Sequence, residues 1–180
     1  MPQGLKRYQK TGNVPFITFS CHHRLPYLAP DHPKQIFEHI LEQTRVSHGF
    51  GIYAYVLMPE HVHLLLSEPT QTDLATTLKV LKQQTSKLLE SPGKPFWLPR
   101  YDDLDVYTEG KRLEKLRYIH RNPVTRGLAK APADYPWSSA PHYATGTPFT
   151  VPIASHRTTP EHTRAAPTPS AHSASDRPRT

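Results

Sequence analysis

The order strand, helix, strand, strand, helix, strand, helix along this chain predicts an α+β fold. It is the order of a ferredoxin-like, split βαβ antiparallel sheet, here with an added C-terminal helix that carries a tyrosine. Three observations support it. Short runs rich in β-branched and aromatic residues read as strands. Longer segments with apolar residues three and four apart read as helices between them. Pro59-Glu60 breaks one apolar run into two, as a hairpin requires.

Residues 1–13 are polar and basic (Lys6, Arg7, Lys10) and read as an arm or early loop. Val14 to Ser20 reads as the first strand, with Phe16, Thr18 and Ser20 on one face and Ile17 and Phe19 on the other. His22 and His23 follow as loop residues. Asp31 is placed to cap a helix with Pro33 in its first turn, and Ile36, Phe37, Ile40 and Leu41 recur at helical spacing up to Gly49. Tyr53 to Met58 and His61 to Leu66 form the hairpin. Thr72 is the expected cap of a second helix, with Leu74, Leu78, Leu81 and Leu88 on one face. Lys79, Lys82, Gln83 and Lys87 project elsewhere, onto either a solvated face or a nucleic acid.

Phe96-Trp97 and Leu104 to Tyr107 read as extended segments around a turn at Asp102-Asp103. A third helix is expected from Glu109 to about Arg121, ended by Pro123 and Gly127. Tyr135-Pro136-Trp137-Ser138-Ser139 is an aromatic segment that should pack back on the core. In this topology the third strand lies inside the sheet, one sheet face is covered by helices, and the other could be open. The domain reading is a folded unit over residues 1–145 and a Pro/Ser/Thr/Ala-rich tail over 146–180. The tail has too few large apolar residues to offset its ordering entropy, so it is expected to be mostly disordered.

The 180 residues suffice for one domain with a real core. Lys and Arg number 22 against 15 Asp and Glu, a formal charge of +7, which suggests a polyanionic partner, nucleic acid ahead of membrane. The single cysteine, Cys21, excludes an internal disulfide framework and fits a reducing compartment. No apolar run approaches a membrane span and no signal-peptide core is present, so a cytoplasmic protein is expected.

The chemistry centres on two places. His61 and His63 are two apart on a strand and therefore share a face, while Val62, Leu64 and Leu66 take the other. Two adjacent imidazoles backed by an apolar face make a half-site for a divalent metal. On the third helix, Leu113, Leu116 and Ile119 form the apolar stripe. Tyr118 sits roughly 200° around from Leu116, with Glu114, Lys115, Arg121 and Asn122 as its near neighbours. A phenol is a poor nucleophile until deprotonated or given a polarised target. A cation on His61 and His63 could polarise a phosphodiester for Tyr118, Asn122 could add a third oxygen ligand, and Lys115 and Arg121 could steady negative charge.

Taken together, Met58 to Leu66, Phe96-Trp97, Tyr118 to Leu128 and Trp137-Ser138-Ser139 resemble the REP-associated tyrosine transposases, members of the single-tyrosine HUH transposases of bacterial insertion sequences. The resemblance runs from about Tyr8 to Tyr143. It implies a ferredoxin-like fold, a Mg²⁺ or Mn²⁺ site, and cleavage of single-stranded DNA at hairpin-forming repeats. It places His61 and His63 on the metal-binding pair, Asn122 on the third ligand and Tyr118 on the nucleophile. The implied product is a 5′-phosphotyrosine with a free 3′-hydroxyl. Leu98-Pro99 departs from the polar and basic residues expected after Phe96-Trp97.

For a single-stranded substrate, basic side chains would track the backbone while aromatic rings stack on bases. The candidates are Lys111, Arg112, Lys115, Arg117, Arg121 and Arg126, with Tyr53, Tyr55 or Trp97 for stacking. The working form is a monomer or a homodimer, with Tyr118 serving its own histidines or a partner's. Two other readings are a catalytically silent nucleic-acid-binding regulator and a metal hydrolase without a covalent intermediate.

Overall fold

The structure, a computed structural model, describes residues 14–89, 94–146, 148 and 150–154. The element order is β1 (Val14–Ser20), α1 (Asp31–His48), β2 (Ile52–Leu57), β3 (His61–Leu66), α2 (Leu74–Leu88), β4 (Asp102–Val106), α3 (Glu109–Thr125) and the short α4 (Ala140–Thr145). The strands lie in the order β2-β3-β1-β4 and every pairing is antiparallel. β3 is thus an interior strand, as its unbroken burial requires.

The two sheet faces follow from strand alternation. Ile17, Phe19, Tyr55, Leu57, Val62, Leu64 and Leu66 join Phe37 and Leu41 of α1 and Leu78 and Leu81 of α2 in one core. Phe16, Ala54, Val56 and Leu65 join Leu116 and Ile119 of α3 and Tyr135 in a second. The second face is therefore not open over its whole length: α3 lies across it, leaving accessible a cavity beside His61 and His63 and the β4 edge at Asp102 and Leu104. No helix among the described residues is long and apolar enough to cross a membrane.

Several element boundaries differ from expectation, each for a local reason. Asp73, not Thr72, caps α2, accepting a hydrogen bond from the Thr76 N–H at 2.6 Å. Pro30 occupies the cap position of α1 and Asp31 is its first residue. α1 ends at Gly49, whose φ of 68° is left-handed and where a Cβ would collide with Thr70 Oγ1. Leu88 is exposed, and the buried place in the last turns of α2 goes to Thr85, whose hydroxyl bonds back to the Leu81 carbonyl. Asp102-Asp103 starts β4 rather than forming a turn.

α3 continues past Arg121 to Thr125 with Pro123 inside it. A proline in the last turn removes one donor, and the end still closes, because the Arg126 and Gly127 N–H groups reach the Asn122 and Val124 carbonyls. Leu113 is 37% exposed, while His120 and Pro123 are buried beside Leu116 and Ile119. The Trp137-Ser138-Ser139 segment packs on the core as expected, running along the β2 edge. The Leu57 N–H bonds the Trp137 carbonyl and the Ser139 N–H bonds the Tyr55 carbonyl.

The packed body also reaches beyond the expected boundary at residue 145. Val151 is buried in the first core, and Ile153 bridges Ile52, where the Ala154 N–H bonds the Ile52 carbonyl at 2.8 Å. The expected N-terminal arm and residues 155–180 of the expected tail lie outside the described residues.

Candidate active site

β3 carries His61 and His63 on the face shared with Phe16 and Thr18 of β1. Both imidazoles are buried, and their Nε2 atoms stand 3.1 Å apart. Each ring is held from behind. The His61 Nδ1 lies 3.1 Å from Glu60 Oε1, and the His63 Nδ1 lies 2.7 Å from Thr18 Oγ1. Phe16 stacks on His63 with centroids 5.5 Å apart and planes 19° from parallel. Burial pushes the His63 pKa down to about 3, and His61 and Arg24 add to the effect. Burial also lowers His61, against the pull of Glu60. Both rings are therefore neutral at physiological pH. Burial alone would raise Glu60, but Arg126 and His61 hold its carboxyl below the usual range.

α3 brings Tyr118 to the same place. Its cap is Thr108, which accepts from the Lys111 N–H. Leu116 and Ile119 seat one side of the helix on the sheet, which leaves Tyr118 half-exposed on another side. The Tyr118 ring meets His63 edge-on at 5.3 Å between centroids and Phe16 at 6.0 Å. Lys115 Nζ lies 5.1 Å from the Phe16 centroid and 5.9 Å from that of Tyr118. One open cavity of about 780 Å³ is lined by His61, His63, Tyr118, Asn122, Lys115, Arg121, Arg126, Arg24, Phe16, Thr18 and Thr125.

The donor set suits a divalent cation. An ionised Glu60 can only accept, so His61 Nδ1 carries the proton and its Nε2 presents a lone pair. If Thr18 accepts from His63 Nδ1, the two Nε2 lone pairs face one another at 3.1 Å. That arrangement repels unless a cation lies between them. Hydrogen-bonded outer nitrogens with free inner ones are the usual pattern for histidine ligands. No group of three or more His, Cys, Asp or Glu side chains that could hold a metal occurs among the described residues. A third protein ligand must come from another residue type, and Asn122 lines the same cavity one turn beyond Tyr118.

Of the expected DNA contacts, Lys115, Arg121 and Arg126 line this cavity, while Lys111, Arg112 and Arg117 do not. Lys111 is paired with Glu114 at 2.7 Å on the outer face of α3. Two of the expected stacking platforms fail. Tyr55 is fully buried with its hydroxyl donating to Glu38 at 2.8 Å, and Trp97 is packed against Phe19 and Phe37. Tyr53 is half-buried against the second core. The loop after Trp97 is pinned rather than free, since Lys82 Nζ donates to the Leu98 and Pro99 carbonyls.

Sequence reasoning missed Arg24, Thr18 and Glu60. Arg24 reaches the cavity from a tight turn in which His23 and Arg24 both have positive φ, 54° and 53°. No residue pattern announces that conformation. Glu60 sits directly before His61, and its chemical type was the available signal.

Comparison with known proteins settles the lineage. Residues 15–122 match the family described as Transposase IS200 like. The chain belongs to that family. It is 26% identical over 135 residues to the REP-associated tyrosine transposase of Escherichia coli (strain K12), covering 74% of this chain and 80% of the relative. The fold of this IS200-like transposase is also that of a solved REP-associated tyrosine transposase bound to a REP hairpin. That structure has a TM-score of 0.69 at 23% identity, covering 85% of this chain and 92% of that one. The matched region of this transposase contains His61, His63, Tyr118 and Asn122.

Proposed function

We propose that this transposase cleaves and rejoins single-stranded DNA at hairpin-forming repeats, with Tyr118 as the nucleophile. The observation that carries the reading is the meeting of Tyr118 with His61 and His63 in one open, basic cavity of a single chain. The Tyr118 oxygen forms a bond to the scissile phosphorus and gives up its proton. The P–O3′ bond breaks, and the departing 3′-oxygen takes a proton. The products are a 5′-phosphotyrosine and a free 3′-hydroxyl. Attack of a 3′-hydroxyl on that phosphotyrosine reforms a phosphodiester and releases the phenol.

His61 Nε2, His63 Nε2 and the Asn122 amide oxygen would hold Mg²⁺ or Mn²⁺. When bound, that ion supplies Lewis-acid polarisation of the phosphate and helps seat the leaving oxygen. Lys115 Nζ stands 5.9 Å from the centre of the phenol ring and lines the same cavity, where its charge can meet an incoming phosphate. Arg24, Arg121 and Arg126 give the cavity the charge that an incoming phosphate needs. The solved relative's hairpin supports a hairpin substrate for this chain as well.

The test is incubation of the full chain with a hairpin-bearing single-stranded oligonucleotide and Mn²⁺. The proposal expects an SDS-resistant protein–DNA adduct that disappears in Tyr118→Phe. Cleavage without an adduct would identify a metal hydrolase. Binding without cleavage would identify a silent regulator.

A further inference from the structure

We infer that Glu60 is a positioning residue that sets His61 for its ligand role and, through Arg126, ties the tyrosine helix to the histidine strand; this rests on the metal reading given above. Glu60 lies in the turn between β2 and β3 and is only 8% exposed. One of its oxygens, Oε1, serves three groups: Arg126 at 2.8 Å, His61 Nδ1 at 3.1 Å and Arg24 at 3.6 Å. A carboxylate buried to this extent is costly unless paired, so its presence needs a reason beyond filling space.

The geometry supplies two reasons. The carboxylate accepts from His61 Nδ1, which fixes the ring rotation and leaves the Nε2 lone pair directed at the cavity. Arg126 is the residue that caps the C-terminal end of α3, four residues past Asn122 and eight past Tyr118. A single oxygen atom therefore joins the strand that bears the imidazoles to the helix that bears the phenol. The backbone beneath it is also fixed, because the Cys21 N–H bonds the Glu60 carbonyl at 2.9 Å. The side chain thus leaves from a held point, and movement of α3 away from β3 must break the Arg126 link.

The experiment titrates the full chain with Mn²⁺ alone by calorimetry, then measures adduct formation at saturating Mn²⁺ and hairpin oligonucleotide. Glu60→Ala should bind Mn²⁺ about tenfold more weakly or worse. Glu60→Gln, which keeps an acceptor but not the charge, should fall between it and the native chain. Arg126→Ala should keep native Mn²⁺ affinity and lose about tenfold in adduct rate at saturation. Native Mn²⁺ affinity in both Glu60 variants, or a native saturated rate in Arg126→Ala, would overturn the inference. His61→Ala is the control: if it binds Mn²⁺ as the native chain does, the metal reading itself fails. Circular dichroism verifies folding, and Glu60→Gln carries the test if Glu60→Ala does not fold.

Discussion

The ring of Tyr118 packs edge-on against the ring of His63, 5.3 Å between centroids, within one chain. The phenol and the imidazoles arrive on different elements, α3 and β3, and meet because both pack on the same sheet face. Phe16 supports this meeting, since it touches both rings. One chain therefore brings the candidate nucleophile, both imidazoles and Asn122 to a single cavity.

That arrangement predicts the outcome of a mixing experiment. Tyr118→Phe and His61→Ala, each inactive alone, should stay inactive when combined, because neither chain holds a whole site. Adduct formation restored to about a quarter or more of the native level would show the tyrosine serving a partner's histidines.

His63→Ala should abolish adduct formation while leaving hairpin affinity within about threefold of native. Phosphate contacts dominate binding to nucleic acid, and the cavity's cations are on other residues. Fluorescence anisotropy with a labelled hairpin, read beside the adduct assay, separates the two quantities. Parallel loss of both would make His63 a structural residue.

Arg24 should contribute a phosphate contact that the sequence did not reveal. Its side chain is 59% exposed at the cavity, with a long 3.6 Å approach to Glu60 and a 3.3 Å hydrogen bond to Ser20 Oγ. Arg24→Ala should weaken hairpin binding and reduce the slope of log affinity against log salt by about 0.7, the value of one released counterion on a single strand. An unchanged slope would remove Arg24 from the DNA path.

Much of the fold was legible because alternation and helical spacing are strong signals. The shared face of His61 and His63 and the opposite face of Val62, Leu64 and Leu66 follow from a period of two, and the interior place of their strand follows from the split βαβ order. Tyr118 stood out because it lies off the stripe of Leu116 and Ile119. Less was legible where type does not fix environment. Tyr55 and Trp97 have the composition of base-stacking platforms, but burial depends on which helices cover them. Pro123 marks a helix end in most contexts, yet here the last turn closes around it. The Glu60–Arg126 pair links residues 66 apart in sequence, and only the packing of α3 on the sheet brings them together.

Ser139 should prove a structural keystone for α3. Its Oγ accepts from the Tyr55 N–H at 3.0 Å and lies 2.8 Å from His120 Nε2 on the buried side of α3. Ser139→Ala takes the side-chain acceptor from the buried Tyr55 N–H and one contact from His120, which costs about 1–3 kcal/mol. Urea unfolding should show that loss as a lower midpoint at unchanged slope. A midpoint at the native value would mean that another group takes over both bonds.

Glu38 gives the fold a pH dependence of definite sign. Burial raises its pKa above the ordinary value, and the Tyr55 hydroxyl and Lys34 only partly oppose this. The native state therefore binds a proton at a pH where the unfolded chain has lost it. Above the raised native value the carboxylate is charged in both states and its burial costs stability. As pH falls through the raised native pKa the penalty is relieved, and relief is complete by the unfolded value. Glu38→Gln keeps an oxygen for the Tyr55 hydroxyl without the charge. It should melt at a higher temperature than the native chain at pH 7, and the gap should close as pH falls toward the ordinary carboxylate range. A gap that stays constant with pH would show that Glu38 does not titrate in the folded protein.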